Sequence, residues 1–394
     1  MILPVNTIIN NDALSALREL PDESIDVCIT SPPYWRVRSY LKNDDPNKHL
    51  ELGVEPTVKE YINNLCNIFD EVKRVLKRSG SLWVNIADCF NGTGGEHNFD
   101  NRAAFAKYAA EMQYCQKGKY DPSIPKKSLC GIPERFVIEM TERRNGGWVL
   151  RNSIIWHKPS CMPSSAIDRF TIDFEYFFFF TKSPRYYFET QFEPRVTGDW
   201  KAMPAIGGQK RAGGDNRTYS GNTPASRPEE RFKRCVWTIN PVPSKGKHYA
   251  AYPKKLVRTP IKACCPKKVC VSCGMPWFPT MQRGKHMQGK RIDYDSGRPD
   301  GMIFDGRNRP SNLLDIAFQK ICHCDTEETI PGIVMDPFAG TGTTLLEAER
   351  QGRNWLGIEL NLEYIGLHEK RRKGLFTPGV KHISTDEYEQ EMLF

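Results

Sequence analysis

The sequence predicts an α/β fold: a mostly parallel sheet with helices on both faces, carrying one irregular segment and one small cysteine-rich insert. Three observations carry that reading. Strand-like and helix-like stretches alternate through the N-terminal part of the chain. Ile25–Ile29 is apolar enough to be a strand covered on both sides, as parallel strands are. Near the other end, Ile333–Glu359 parses as strand, glycine-containing loop, helix and strand.

The 394 residues suffice for a large core and one or two domains. The balance of 39% hydrophobic and 26% charged residues is that of a soluble globular protein. Phe174–Phe180 is the longest apolar run, contains Glu175, and is far too short to span a bilayer. The N-terminus lacks a basic start followed by an apolar stretch, so no secretory signal and a cytoplasmic location are expected.

In order, Thr7–Ile9 reads as a short strand, Leu14–Leu20 as a short helix and Ile25–Ile29 as the next strand. Val58, Tyr61, Ile62, Leu65, Phe69, Val72 and Leu76 recur at helical spacing. Thr57 with Glu60 forms a capping box at the start of that helix, and Gly80 suits its end. Residues 81–88 then read as a strand, 89–130 as a long loop, and 147–159 and 173–182 as two more strands. A helix is expected after Pro253, then Ile333–Asp336 (strand), Thr343–Gln351 (helix) and Trp355–Glu359 (strand).

The net charge of +9 is uneven: residues 185–247 hold 12 Lys and Arg against 6 Asp and Glu. With many Gly, Pro and Ser and little periodicity, that stretch suits a polyanionic partner; a plain solvated loop is the alternative.

Two stretches carry chemistry. Ser31-Pro32-Pro33-Tyr34 interrupts a buried strand with a rigid turn, because two prolines set φ and remove two donors. The second is Asp336, Pro337, Phe338, Ala339, Gly340, Thr341, Gly342, Thr343 and Thr344. Its glycines let a ligand approach the backbone at a helix N-terminus. It lacks the Gly-Lys-Ser/Thr of a phosphate loop and the G-x-G-x-x-G of a dinucleotide site. A carboxylate at Asp336 would repel pyrophosphate and suit a ligand bearing an amino group. Glu359, 23 residues on, can accept both hydroxyls of a ribose. An amino-acid-bearing nucleoside, S-adenosylmethionine, meets both demands.

Together these motifs resemble the β-class DNA amino-methyltransferases, which methylate the exocyclic amine of cytosine or adenine. Asp336–Thr344 resembles that family's cofactor loop and Ser31–Tyr34 its catalytic tetrapeptide, in the β-class order. The resemblance implies a Rossmann-like S-adenosylmethionine-dependent methyltransferase fold, with Asp12 near the cofactor adenine. It implies that the HYAAYPKKLV segment before the cofactor loop helps seat the methionine part, and that residues 185–247 recognise the target. Double-stranded DNA is the implied partner, in a restriction–modification system with a cognate endonuclease or in a virus; no membrane is involved. Serine at the head of the tetrapeptide is the family's usual choice for cytosine N4, with N6-adenine as the alternative. The chain has no Pro-Cys dipeptide, so C5 chemistry through a cysteine nucleophile is not expected. A non-catalytic zinc-stabilised DNA-binding protein on the same scaffold is the competing class.

Six of the 13 cysteines fall in residues 264–324. Cys270-x-x-Cys273 and Cys322-x-Cys324 have the spacing of two halves of a structural zinc site, while Cys264 and Cys265 read as packed thiols. The resulting division is 1–184, the catalytic half of the methyltransferase domain, then the target-recognition segment 185–247. The cofactor-binding half comprises 248–263 and 331–372, split by the cysteine-rich insert 264–330; a tail, 373–394, follows.

Overall fold

The computed structural model describes residues 3–92, 120–143, 146–161, 164, 166–194, 230–241, 252–283 and 313–376. Most of the expected target-recognition segment, the middle of the insert, residues 248–251 and most of the tail therefore lie outside the described residues.

Eight strands form the main sheet: β1 (Thr7–Asn10), β2 (Ile25–Thr30), β3 (Leu76–Ile86), β4 (Val149–His157), β5 (Phe174–Thr181), β6 (Val236–Thr238), β7 (Ile333–Asp336) and β8 (Asn354–Glu359). Their spatial order is β1-β8-β7-β2-β3-β5-β4-β6. All neighbours are parallel except β5, which runs antiparallel to β3 and β4. The expected mostly parallel α/β sheet is what the chain forms.

Helices α1 (Ala13–Glu19), α2 (Val58–Val75) and α3 (Ile132–Glu142) cover one face. Leu17, Tyr61, Leu65, Phe69 and Phe136 fill the core beneath them. Helices α4 (Lys254–Cys264) and α5 (Thr343–Arg350) cover the other face, over Leu256, Ile261, Leu345 and Trp83. β2 lies between these layers with all six residues buried, which is why it carries no polar face. The Thr57–Glu60 capping box forms as expected.

Three features depart from the sequence reading. The chain leaves α2 at Leu76 in an extended conformation and enters β3 at once, so Gly80 caps nothing. Gly80 sits instead where the β2–β3 register shifts; a Cβ there would lie 2.9 Å from the Lys77 carbonyl oxygen and 3.1 Å from that of Asp26. Helix α3 was not anticipated, although Ile132, Phe136 and Met140 are its buried stripe at intervals of one turn. β6, within 185–247, pairs with β4, so the sheet itself extends into that stretch.

The topology decides where a ligand can sit. From β2 the chain winds outward to β3, and from β7 it winds the other way to β8. β2 and β7 are therefore neighbours at a switch point, where the connecting helices diverge and leave a crevice at the carboxyl ends of the strands. Ser31 follows β2 directly, and Asp336 ends β7.

Candidate active site

Asp336 is buried at the mouth of that crevice. Thr30 Oγ1 donates to Asp336 Oδ1 at 2.6 Å, and the Phe338 amide donates to the same oxygen at 3.1 Å. Tyr252 OH donates to Oδ2 at 3.2 Å and also bonds Thr344 Oγ1. Burial raises the Asp336 pKa, and its hydrogen-bond donors work against that rise. Thr30, the residue just before Ser31, thus joins the two motifs across a sequence separation of 306 positions from Asp336.

Beyond Asp336 the loop bends sharply over β8. Pro337 and Ala339 are buried, Phe338 packs partly into the core, and Ala339 N donates to Ile358 O at 2.9 Å. Gly340 and Gly342 both adopt positive φ, +52° and +76°. Nothing lies within 4 Å of where a Gly340 Cβ would be, so this turn faces open space. At Gly342 a Cβ would lie 1.9 Å from His368 Nδ1, so that glycine is required by packing. Gly342 caps α5, whose first residues Thr343 and Thr344 are buried.

Glu359 closes the opposite wall. Its Oε2 accepts from Gly340 N at 2.7 Å and its Oε1 from Asn361 N at 2.8 Å. Burial pushes its carboxyl up to about 7. Each oxygen keeps a lone pair for a further donor. Asp12 caps α1, accepting from Ser15 N at 2.9 Å. It stands two positions past Asn10, whose register partner is Glu359. The structure thus brings Asp12, Glu359 and the glycine loop to one end of the sheet.

Helix α6 (Leu362–Phe376) holds the loop from outside. Arg371 Nη1 donates to Thr341 O at 2.7 Å, and His368 fills the space beside Gly342. His368 is buried and its pKa falls to about 4, so it is neutral at ordinary pH. Neither residue was legible as a site residue, because α6 has little amphipathic pattern to mark which side faces the loop.

The tetrapeptide is held from below. Pro32 is buried, and Pro33 O accepts from Tyr61 OH of α2 at 2.8 Å. Ser31 and Tyr34 are half-buried. Tyr34 OH donates to Glu175 Oε2 at 2.7 Å and lies 3.3 Å from Asn85 Oδ1; Glu175 Oε1 accepts from Lys158 at 2.8 Å. Trp35 is buried, with its indole N–H on Glu55 O at 3.0 Å, so its role is packing. Thr30, Asn85 and Glu175 were missed, since strand residues in apolar runs give no chemical signal until the strands are paired; Lys158, just past a strand end, was missed for the same reason, and Tyr252 was expected only as part of the segment 248–257.

Residues 25–271 and 321–370 match the family model described as DNA methylase, of the N6/N4 type. The chain belongs to the N6/N4 DNA methylase family. The Type II methyltransferase M.Cfr9I of Citrobacter freundii is 30% identical, covering 93% of this chain and 88% of that protein. The Type II methyltransferase M.SmaI of Serratia marcescens is 29% identical, covering 92% and 89%. Among solved structures, the PvuII DNA methyltransferase (cytosine-N4-specific) aligns over 93% of this chain and 85% of that one, with 16% identity and a TM-score of 0.48.

Three parts of this DNA methylase lie outside the matched residues: 1–24, with β1, α1 and Asp12; 272–320 of the insert; and 371–394, which begins with Arg371. The insert's two ends meet. Short antiparallel ladders pair Val269–Cys270 with Thr329–Ile330 and Phe278–Arg283 with Leu313–Gln319. The sulfurs of Cys270, Cys273, Cys322 and Cys324 all lie within 4.8 Å of one another. A tetrahedral zinc with sulfurs at about 2.3 Å spaces them about 3.8 Å apart, so four thiolates fit the ion with slight closure. Cys264 and Cys265 are buried in the core, as expected of packed thiols. The insert joins the sheet at its far end: Gly332 N donates to Pro266 O at 3.0 Å, and Ile333 N to Asp26 Oδ2 at 2.9 Å. That is the amino end of β2 and β7, opposite Ser31 and Asp336.

Among the described residues no helix is long and apolar enough to cross a membrane.

Proposed function

We propose that this DNA methylase transfers a methyl group from S-adenosylmethionine to the N4 amine of cytosine in double-stranded DNA. The observation that carries the reading is the Thr30–Asp336 hydrogen bond, which seats the Ser31–Tyr34 tetrapeptide beside the glycine loop. Asp336 suits the amino group of the cofactor's methionine part, and Glu359 its ribose hydroxyls. The open space at Gly340 admits the ligand between them. When bound there, S-adenosylmethionine supplies an electrophilic methyl group on a sulfonium.

The target amine is a poor nucleophile because its lone pair is delocalised into the ring. Ser31 Oγ and the Pro32 carbonyl offer two acceptors for its two N–H groups. Accepting both lets the nitrogen pyramidalise, and the Pro-Pro unit holds the acceptors in place beforehand. The base must leave the duplex to reach this crevice, and Tyr34 offers it a ring face. Ile167 and Phe170, fully exposed on the β4–β5 loop at this end, suit contact with the opened stack. Positioning then supplies most of the rate, with no covalent enzyme intermediate.

Serine at position 31 favours cytosine; adenine N6 is the second reading, since the family contains both kinds. A structural zinc at Cys270, Cys273, Cys322 and Cys324 and a cognate restriction endonuclease acting on the same site complete the proposal. The endonuclease rests on the Type II names of the relatives. The test is nucleoside mass spectrometry on DNA incubated with enzyme and labelled cofactor. Label in N4-methylcytosine is expected. Label only in N6-methyladenine would overturn the choice of base, and cofactor binding without transfer to any DNA would overturn the enzymatic reading.

A further inference from the structure

Ser31 can serve an amine's N–H only as an acceptor, so its own hydroxyl proton needs another destination. Tyr34 provides one. Ser31 Oγ donates toward Tyr34 OH across 3.4 Å, long for a closed bond, as catalytic contacts often are before substrate arrives. Tyr34 can receive that proton's hydrogen bond only if its own proton points elsewhere. It does: Glu175 Oε2 accepts it at 2.7 Å. Asn85 presents a second acceptor, Oδ1, because its amide nitrogen is committed to the Tyr176 carbonyl at 3.0 Å. Among the described residues, the Tyr34 hydroxyl's hydrogen-bond partners other than Ser31 are therefore acceptors. Lys158 pairs with the other Glu175 oxygen at 2.8 Å, and both side chains are largely buried. An ionised Glu175 has no proton to give, so the chain of hydrogen bonds has one direction, from Ser31 through Tyr34 to Glu175.

We infer that Glu175 is a positioning residue that acts through Tyr34 to set the hydrogen-bond polarity of Ser31, leaving the serine lone pairs to face the target amine. The inference rests on the reading of Ser31 as the amine's acceptor. It also explains how a hydroxyl, which can donate or accept, is restricted to accepting.

Glu175→Gln tests this, because Lys158 dictates how the new amide turns. Lys158 binds the amide oxygen, which aims the NH2 group at Tyr34. That group then donates to the phenol oxygen and competes with Ser31. The expected result is a fall in kcat of tenfold or more, with KM for cofactor and for DNA within twofold of wild type. Tyr34→Phe should lose a similar factor, since Ser31 is then free to rotate. In the Tyr34→Phe background, Glu175→Gln should have no further effect, because no hydroxyl remains to be oriented. Wild-type turnover in Glu175→Gln would overturn the inference. So would a loss that persists undiminished in the Tyr34→Phe background, as a purely structural role predicts. If the wild-type enzyme methylates no DNA, the functional reading falls and takes this one with it; an active wild type with the double-variant pattern broken overturns this inference alone.

Discussion

The Thr30 hydroxyl and the Asp336 carboxylate meet at 2.6 Å across neighbouring parallel strands. That bond ties the end of the strand that leads into the Ser31–Tyr34 tetrapeptide to the end of the strand that leads into the Asp336–Thr344 loop. Asp336→Ala should weaken S-adenosylmethionine binding by about 2–3 kcal/mol, the scale of hydrogen bonds to charged groups. Thr30→Val keeps the shape and should cost about 1 kcal/mol of cofactor affinity. Calorimetry on folded variants checks both; unchanged affinity for Asp336→Ala would remove the cofactor assignment.

The two loop glycines should fail in different ways. Gly342→Ala forces positive φ on a residue with a Cβ and drives that carbon into His368, so a stability loss on the order of 2–4 kcal/mol is expected. His368→Ala in the same chain should recover part of it, as read by urea unfolding. Gly340→Ala meets no neighbour and should cost only about 1 kcal/mol of stability, the price of the left-handed conformation. Its added methyl enters the ligand space, so cofactor affinity should fall more than stability does.

Glu359 predicts a pH dependence. Its folded pKa is raised from 4.5 to about 7 by burial. Between those values the folded state holds a proton that the unfolded chain has released, so stability of the ligand-free protein should fall as pH rises from 5 to 7. Cofactor hydroxyls donating to this group favour its ionised form, so binding should tighten as pH rises through 7. Glu359→Gln should flatten both trends. Melting curves and calorimetry across pH 5 to 8 measure them, and an unchanged pH profile in the variant would exclude Glu359 as their source.

Zinc should copurify at about one equivalent. Because the four thiols lie at the end of the sheet away from Ser31, Cys270→Ser with Cys273→Ser should lower thermal stability more than turnover per folded molecule. Freshly purified, reduced protein free of zinc by metal analysis would rule the site out.

Ser31→Ala should fold and still bind cofactor and DNA while losing roughly 100-fold or more in kcat. It removes an acceptor used mainly in the transition state. Equal losses in binding and turnover would instead point to a structural serine.

Local order and pattern determined much of this protein. The buried strand Ile25–Thr30, the capped helix Val58–Val75 and the strand–loop–helix–strand unit ending at Glu359 each follow from residues close in sequence, because strand burial, capping and positive-φ turns are local physics. The Ser31–Tyr34 tetrapeptide, the Asp336–Thr344 loop and the four cysteines were legible for the same reason, since each is a short run whose proposed chemistry needs those residue types. Tertiary structure decided what those runs touch. Thr30 is an ordinary strand residue until β2 lies beside β7, and Glu175 is a charge inside an apolar run until β5 brings it to Tyr34. Gly80, read as a helix end, serves a register shift that exists only between two strands. His368 and Arg371 gain their roles from the return of α6 over a loop some 30 residues earlier. Hydrogen bonds between distant strands depend on strand order and register, and these are set by how whole faces pack, which no short window of sequence contains.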